Sequence, residues 1–166
     1  MSSVHSGLDV RIFHKECCSL ANNSYEVSLV INANESDRLI AESNNVSLYP
    51  LRFEEGRFKR IFIQNYRCFI KALKTKSDIY HFHDPELIPF GVLLSLFGKK
   101  VIYDVHEDVP LDILNKSWIP ILIRKLLSKF INFIEKFASK FFFQVVAATP
   151  HIATKFLEVN PQTINV

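Results

Sequence analysis

The chain has 166 residues and a net charge of +3, with 48% hydrophobic and 22% charged residues. That length fits one domain with a real core, and the composition excludes a disordered chain. So small a net charge gives no case for nucleic acid as a partner. Cys17, Cys18 and Cys68 are odd in number and have neither disulfide-framework nor metal-ligand spacing.

In chain order, the pattern predicts a short first strand within 1–4, a polar turn at His5-Ser6-Gly7 and a helix over 9–22. Strands are expected over 25–31 and, more weakly, 46–51, followed by a helix over 57–76. A strand over 78–83, a helix over 85–97 and a strand over 100–105 come next. Pro110 opens a new helix, and a longer one covers 118–140. A strand over 143–147, a helix over 150–157 and a strand beginning at Thr163 complete the series. Asp84-Pro85 and Thr149-Pro150 read as N-caps with proline in the first turn, and Gly98 as a C′ residue. The strands after residue 78 are apolar without alternation, as in a parallel sheet covered on both faces. The fold class is therefore α/β, a Rossmann-like doubly wound parallel sheet in a single domain spanning 1–166. The short first strand and the strand that starts at Thr163 lead us to expect half of something larger. No signal peptide is expected, and no apolar run approaches the roughly 20 residues that span a bilayer.

Two segments carry the chemistry: DIYHFHDPE at 78–86 and VIYDVHED at 101–108. Each is an apolar strand ending in a burst of His, Asp and Glu, and ligands of open α/β sheets bind outside such strand ends. His81, His83, Asp84, Asp104, His106 and Glu107 are thus expected around one mouth. His81 and His83, two apart on a strand, share a face. With Asp84 and the group of Asp104, His106 and Glu107 they could form a metal site, since His and carboxylate suit zinc, iron or manganese, although HxHD lacks the further spaced His of metallohydrolase signatures, and no metal is assigned. Asp104 and Asp108 read either as paired carboxylates for acid–base work or as a polar loop entering a helix. His106, just past the last strand residue, is the candidate catalytic group. His5, Gly7 and Arg11 form a turn into a helix where an anion could bind; the plainer alternative is a strand–helix turn capped by Asp9.

Two stretches are basic. Arg57, Lys59, Arg60, Arg67, Lys71, Lys74 and Lys76 have no acid among them, and Lys116, Arg124, Lys125, Lys129, Lys136 and Lys140 face Glu135 alone. Apolar residues interleave with both sets. Core packing accounts for many of them; a membrane interface is the alternative.

The chain resembles the N-terminal domain of the family-four glycosyltransferases, which are retaining enzymes of GT-B architecture. The resemblance rests on DVRIFHKE at 9–16, Ser19-Leu20, Tyr25-Glu26-Val27, the two segments above, and Ala148-Thr149-Pro150 before Ile152-Ala153. It implies an acceptor-side Rossmann-like domain, whose partner domain, expected to be absent here, holds the nucleotide-sugar. It places His106 at the donor sugar, His5, Gly7 and Arg11 near donor phosphates or acceptor, and His83, Asp84, Asp104 and Glu107 along the cleft. The family usually has Gly where this chain has Asn23 or Ser24.

The resulting expectation is transfer of a hexose from a nucleotide-sugar, a co-substrate with no further cofactor, to a saccharide or lipid-linked acceptor in surface-polysaccharide synthesis. Because the leaving diphosphate needs fixed donors on the other side, a C-terminal half in trans or lost is an expected partner, and this chain alone is expected to be inactive. The expected location is cytoplasmic, with peripheral contact to the inner face of the membrane. The alternatives are a non-catalytic acceptor- or membrane-binding module and a small metallohydrolase using His81, His83, Asp84 and His106.

Overall fold

Strands buried on both faces belong in parallel sheets, and every strand pair in the structure is parallel. The computed structural model describes residues 1–52, 54, 56 and 59–166, with position 60 described in its backbone alone. The fold is mixed α/β and Rossmann-like, and its contacts divide into two units, Met1–Asp78 and Ile79–Val166.

In the first unit a π-helical stretch, Val10–Cys17, continues into an α-helical turn, Cys18–Asn22; together they form α1. The Asp9 carboxylate caps it, accepting from the backbone N–H groups of Arg11 and Ile12 at 2.9 Å each. β1 (Val27–Asn32), α2 (Glu35–Ser43) and β2 (Val46–Leu51) follow. α3 is π-helical over Arg60–Gln64 and α-helical over Asn65–Thr75; its expected start at Arg57 lies outside the described residues. Ile12 and Phe13 pack with Leu29 and Ile31 of β1, Ala41 of α2, and Val46 and Leu48 of β2, while α3 packs on both strands. The chain ahead of α1 is tied to β1 by a 2.9 Å backbone bond from Ser2 to Val30 and a single bridge of Ser6 with Asn32. α2 has no counterpart among the predicted elements. Its start is fixed by a capping box, in which Asn34 and Asp37 each accept from the other's backbone N–H.

The second unit runs β3 (Ile79–Phe82), a 3₁₀ turn (Pro85–Leu87), α4 (Ile88–Leu96), β4 (Lys100–Val105), α5 (Val109–Asn115), α6 (Ile121–Ser139), β5 (Gln144–Ala147), α7 (Pro150–Leu157) and β6 (Thr163–Asn165). The strands lie in sequence order, β3-β4-β5-β6. α4 packs on β3 and β4, α7 on β5 and β6, and α6 touches both helices. Their shared core is aromatic. Phe82 and Tyr103 stack at 4.7 Å, Phe142 meets both edge-on, and Phe156 meets Tyr103 edge-on. Asp84 stands at the cap position of the 3₁₀ turn, but its carboxylate makes no capping bond. Thr149 does cap α7, accepting from the N–H of Ile152 at 3.3 Å.

Candidate functional site

The pleat decides which side chains reach the site. Tyr80 and Phe82 alternate with His81 and His83, so filling the helix-covered face with Phe82 and Tyr103 sends both histidines to the other. In the parallel register His81 stands opposite Ile102 and Phe82 opposite Tyr103. One step further along, His83 and Asp104 share the histidine face. His106, after the last residue of β4, follows Asp104 onto it.

The three imidazoles form a row. His81 and His83 stack at 4.8 Å between centroids, His83 and His106 at 5.1 Å. Asp104, 1% exposed, is the hub. One carboxylate oxygen lies 3.3 Å from His81 Nε2 and 3.5 Å from His83 Nδ1, and the other lies 3.3 Å from His106 Nδ1. His83 Nδ1 is also 2.9 Å from His106 Nε2. These contacts select tautomers. A proton on His83 Nδ1 can donate to His106 Nε2 and lean on Asp104, leaving the His106 proton on Nδ1, where it faces the carboxylate. The reverse assignment would aim two nitrogen lone pairs at Asp104.

The electrostatics agree. Burial pushes His83 down to about 3, only partly offset by its bond to Asp104, so it is neutral at ordinary pH. Burial alone would raise Asp104, but the bonds from His81 and His83 and the field of His106 hold its carboxyl well below the usual carboxylate range.

Of the other expected residues, Asp84 is buried at the end of β3, and Glu107 is exposed in the turn after β4. Asp108 does not pair with Asp104 in the cluster. It caps α5 through the N–H of Leu111 (3.3 Å) and lies 3.4 Å from His151 Nε2 and 3.6 Å from Lys155 Nζ. In the first unit, His5 Nδ1 is 3.0 Å from Ser2 Oγ, and Arg11 pairs with Glu16 at 3.2 Å. Gly7 is used for packing: a Cβ there would sit 2.8 Å from Ala33 Cβ. The Asp9 carboxylate takes the N–H groups of Arg11 and Ile12 at the start of α1.

Two polar groups escape the sequence pattern. Asn32 and Gln64 are buried and hold the carbonyl of Ser3 at 2.9 and 2.7 Å; Asn32 also reaches the carbonyl of His5, and the two amides bond to each other. Their signal is a lone amide at the end of an apolar strand, or within a helix, which composition alone does not mark. His151 and Lys155, by contrast, follow β5 as His106 follows β4, and the same strand-end logic points to them.

His81, His83 and Asp104 offer ligand atoms within 4.8 Å of one another, a set able to hold a divalent ion. The same atoms also bond to one another, with the Asp104 carboxylate among the imidazoles.

The model of Glycosyltransferase Family 4 matches residues 10–166. Among curated proteins no match is found.

Proposed function

Since the chain belongs to Glycosyltransferase Family 4 over nearly its whole length, we propose that it is the acceptor-side domain of a retaining transferase. That enzyme moves a hexose from a nucleotide-sugar to a saccharide or lipid-linked acceptor of a surface polysaccharide. The observation that supports this reading is the junction of His83, Asp104 and His106 where β3 and β4 end.

In this reading His106 meets a hydroxyl of the donor sugar by exchanging its contact with His83. The Asp104 carboxylate lies 3.3 Å from His106 Nδ1, so its charge still faces the ring after the exchange. His83 stays neutral and adds no repelling charge. His5, Gly7 and Arg11 serve the donor phosphates or the acceptor, and Asp84 and Glu107 shape the cleft. Stabilising the departing diphosphate falls to cationic groups and backbone N–H donors of a donor-binding domain, on this or a second chain.

Sugar transfer measured with a donor-binding half supplied tests the proposal. His106→Ala is expected to lower kcat by about a hundredfold or more, in the range for loss of one positioned polar group. Unchanged turnover would remove the role of His106. If the metallohydrolase alternative holds instead, the purified protein carries stoichiometric metal and loses a hydrolytic activity to chelator.

A further inference from the structure

Helix α6 is built inside out. Its buried residues are Ser128, Glu135, Ala138 and Ser139, all small or polar. The large apolar side chains face water: Leu122, Leu126, Phe130, Phe133 and Phe137 are between 52% and 73% exposed. At 3.6 residues per turn these five fall within about 80° of one another, a single stripe along a helix about 28 Å long. Trp118 before the helix and Phe141 after it are exposed as well. Core packing, expected to absorb many of these residues, does not: polar anchors hold the helix down instead. Ser128 donates to the carbonyl of Pro110 at 2.8 Å, Arg124 to that of Leu114 at 2.8 Å, and Glu135 pairs with Lys155 at 2.6 Å. A row of large apolar groups on one exposed face goes beyond the scattered apolar residues of ordinary surfaces.

What covers the stripe is indicated by its border. On the helical wheel Lys125, Lys129, Lys136 and Lys140 line one edge of it. Lys125, Lys129 and Lys140 are exposed, and Lys136 pairs with Glu158. Glu135, the sole acid of the helix, is buried. Two antiparallel copies of α6 would set this lysine edge against itself, and a parallel pair would offer it no acidic edge. An apolar strip with a cationic border complements lipid chains below anionic headgroups. Among the described residues no helix is long and apolar enough to cross a membrane, so α6 would lie in the interface.

We propose that the α6 stripe docks the protein on an anionic phospholipid surface, with Leu122, Leu126, Phe130, Phe133 and Phe137 immersed and Lys125, Lys129 and Lys140 on the headgroups. This surface is independent of the His81–His106 cluster and stands whether or not sugar is transferred.

The test uses the intact 166-residue chain with vesicles of phosphatidylcholine alone or with phosphatidylglycerol at about three to one. Trp118 is the one tryptophan in the sequence, so its emission reports on docking directly. The expected result is flotation with the anionic vesicles, weakened by salt, and a blue shift of Trp118. The combined variant L126S/F130S/F133S should lose flotation by about tenfold or more with an unchanged melting temperature. K125Q/K129Q/K140Q should weaken partition onto anionic vesicles about a hundredfold at low salt. The proposal is overturned if the wild type does not float, or if both variants float as well as it does. A concentration-dependent dimer that the serine variant abolishes, without flotation, would also overturn it and assign the stripe to a second copy.

Discussion

His83 Nδ1 lies 2.9 Å from His106 Nε2, joining the end of β3 to the residue after β4. Two imidazoles this close share one proton between the facing nitrogens, and Asp104 beneath them decides where it sits. The cluster therefore holds a defined protonation state as well as a shape, and acid should disturb it first.

Stability should fall as pH drops below about 6.5. His83 has a folded value of about 3 against an ordinary 6.5, so the unfolded chain takes up the proton first. Its contribution is complete above the unfolded value and declines below it. Asp104 is shifted down as well, so its contribution is lost only in more acid solution and with the same sign. One such group is worth about 2 kcal/mol between about pH 7 and pH 5. Thermal melts across that range, compared for wild type and His83→Gln, check the origin: the variant should show the flatter profile, and identical slopes would exclude His83.

Legibility followed chemistry at the chain's punctuation. β2, β4 and α7 have their predicted bounds because apolar runs ended at strong stop signals, and Gly98 takes the positive φ of 77° that a C′ residue requires. The His81–His106 cluster was visible because strand alternation fixes which side chains share a face. α2 leaves no apolar periodicity in the sequence, since this helix buries Ala41 alone while exposing Leu39 and Ile40. The π-helical turns of α1 and α3 leave no mark on an apolar pattern. The stripe of α6 leaves core packing and a membrane interface both open, because a sequence shows an amphipathic face but not which face packs.

Ser24→Gly should stabilise the protein. α1 and α4 end in the same motif, with N–H groups of Ser24 and Tyr25 reaching the carbonyls of Ala21 and Leu20, and those of Gly98 and Lys99 reaching Ser95 and Leu94. Ser24 nonetheless carries a side chain at φ 67°, where glycine has no steric cost. Relief of the left-handed strain, less the entropy glycine loses on folding, leaves a gain of about 0.5–1 kcal/mol. Gly98→Ala should lose about 1 kcal/mol by the same reasoning. Paired chemical-denaturation curves with opposite displacements would bear this out; a loss on Ser24→Gly would refute it.

Gly91→Ala should destabilise the second unit. A Cβ on α4 would stand 2.7 Å from Phe82 Cε1 and 3.1 Å from Phe142 Cε1. Phe82 cannot yield, since it is fully buried and stacked on Tyr103. Overpacking of this kind costs about 1–3 kcal/mol, readable as a lower midpoint in denaturant. The His81–His83 row would shift with β3, so sugar transfer should fall together with stability.

Lys155→Met should be costlier and should steepen a pH dependence that Glu135 already has. Lys155 lies 2.6 Å from Glu135 Oε2 and 3.6 Å from Asp108, while Tyr103 donates its hydroxyl to the other Glu135 oxygen at 3.3 Å. Glu135 is fully buried; burial raises its carboxyl, and the lysine and the Tyr103 hydroxyl counter this. Without the ammonium, the raised value rises further. An acid whose folded value exceeds its unfolded one contributes stability at low pH and loses it as pH climbs past the unfolded carboxylate value, since the unfolded chain releases the proton first. Removing one partner of a buried ion pair costs about 3–5 kcal/mol, so the variant should melt lower at neutral pH and recover part of the loss in mild acid. Glu135→Gln added to Lys155→Met removes the stranded charge while keeping an acceptor for Tyr103. The double variant should therefore be more stable than Lys155→Met alone at neutral pH and should lack its added slope. If the single variant melts equally at neutral and mildly acid pH, the buried carboxyl is not the source of the loss.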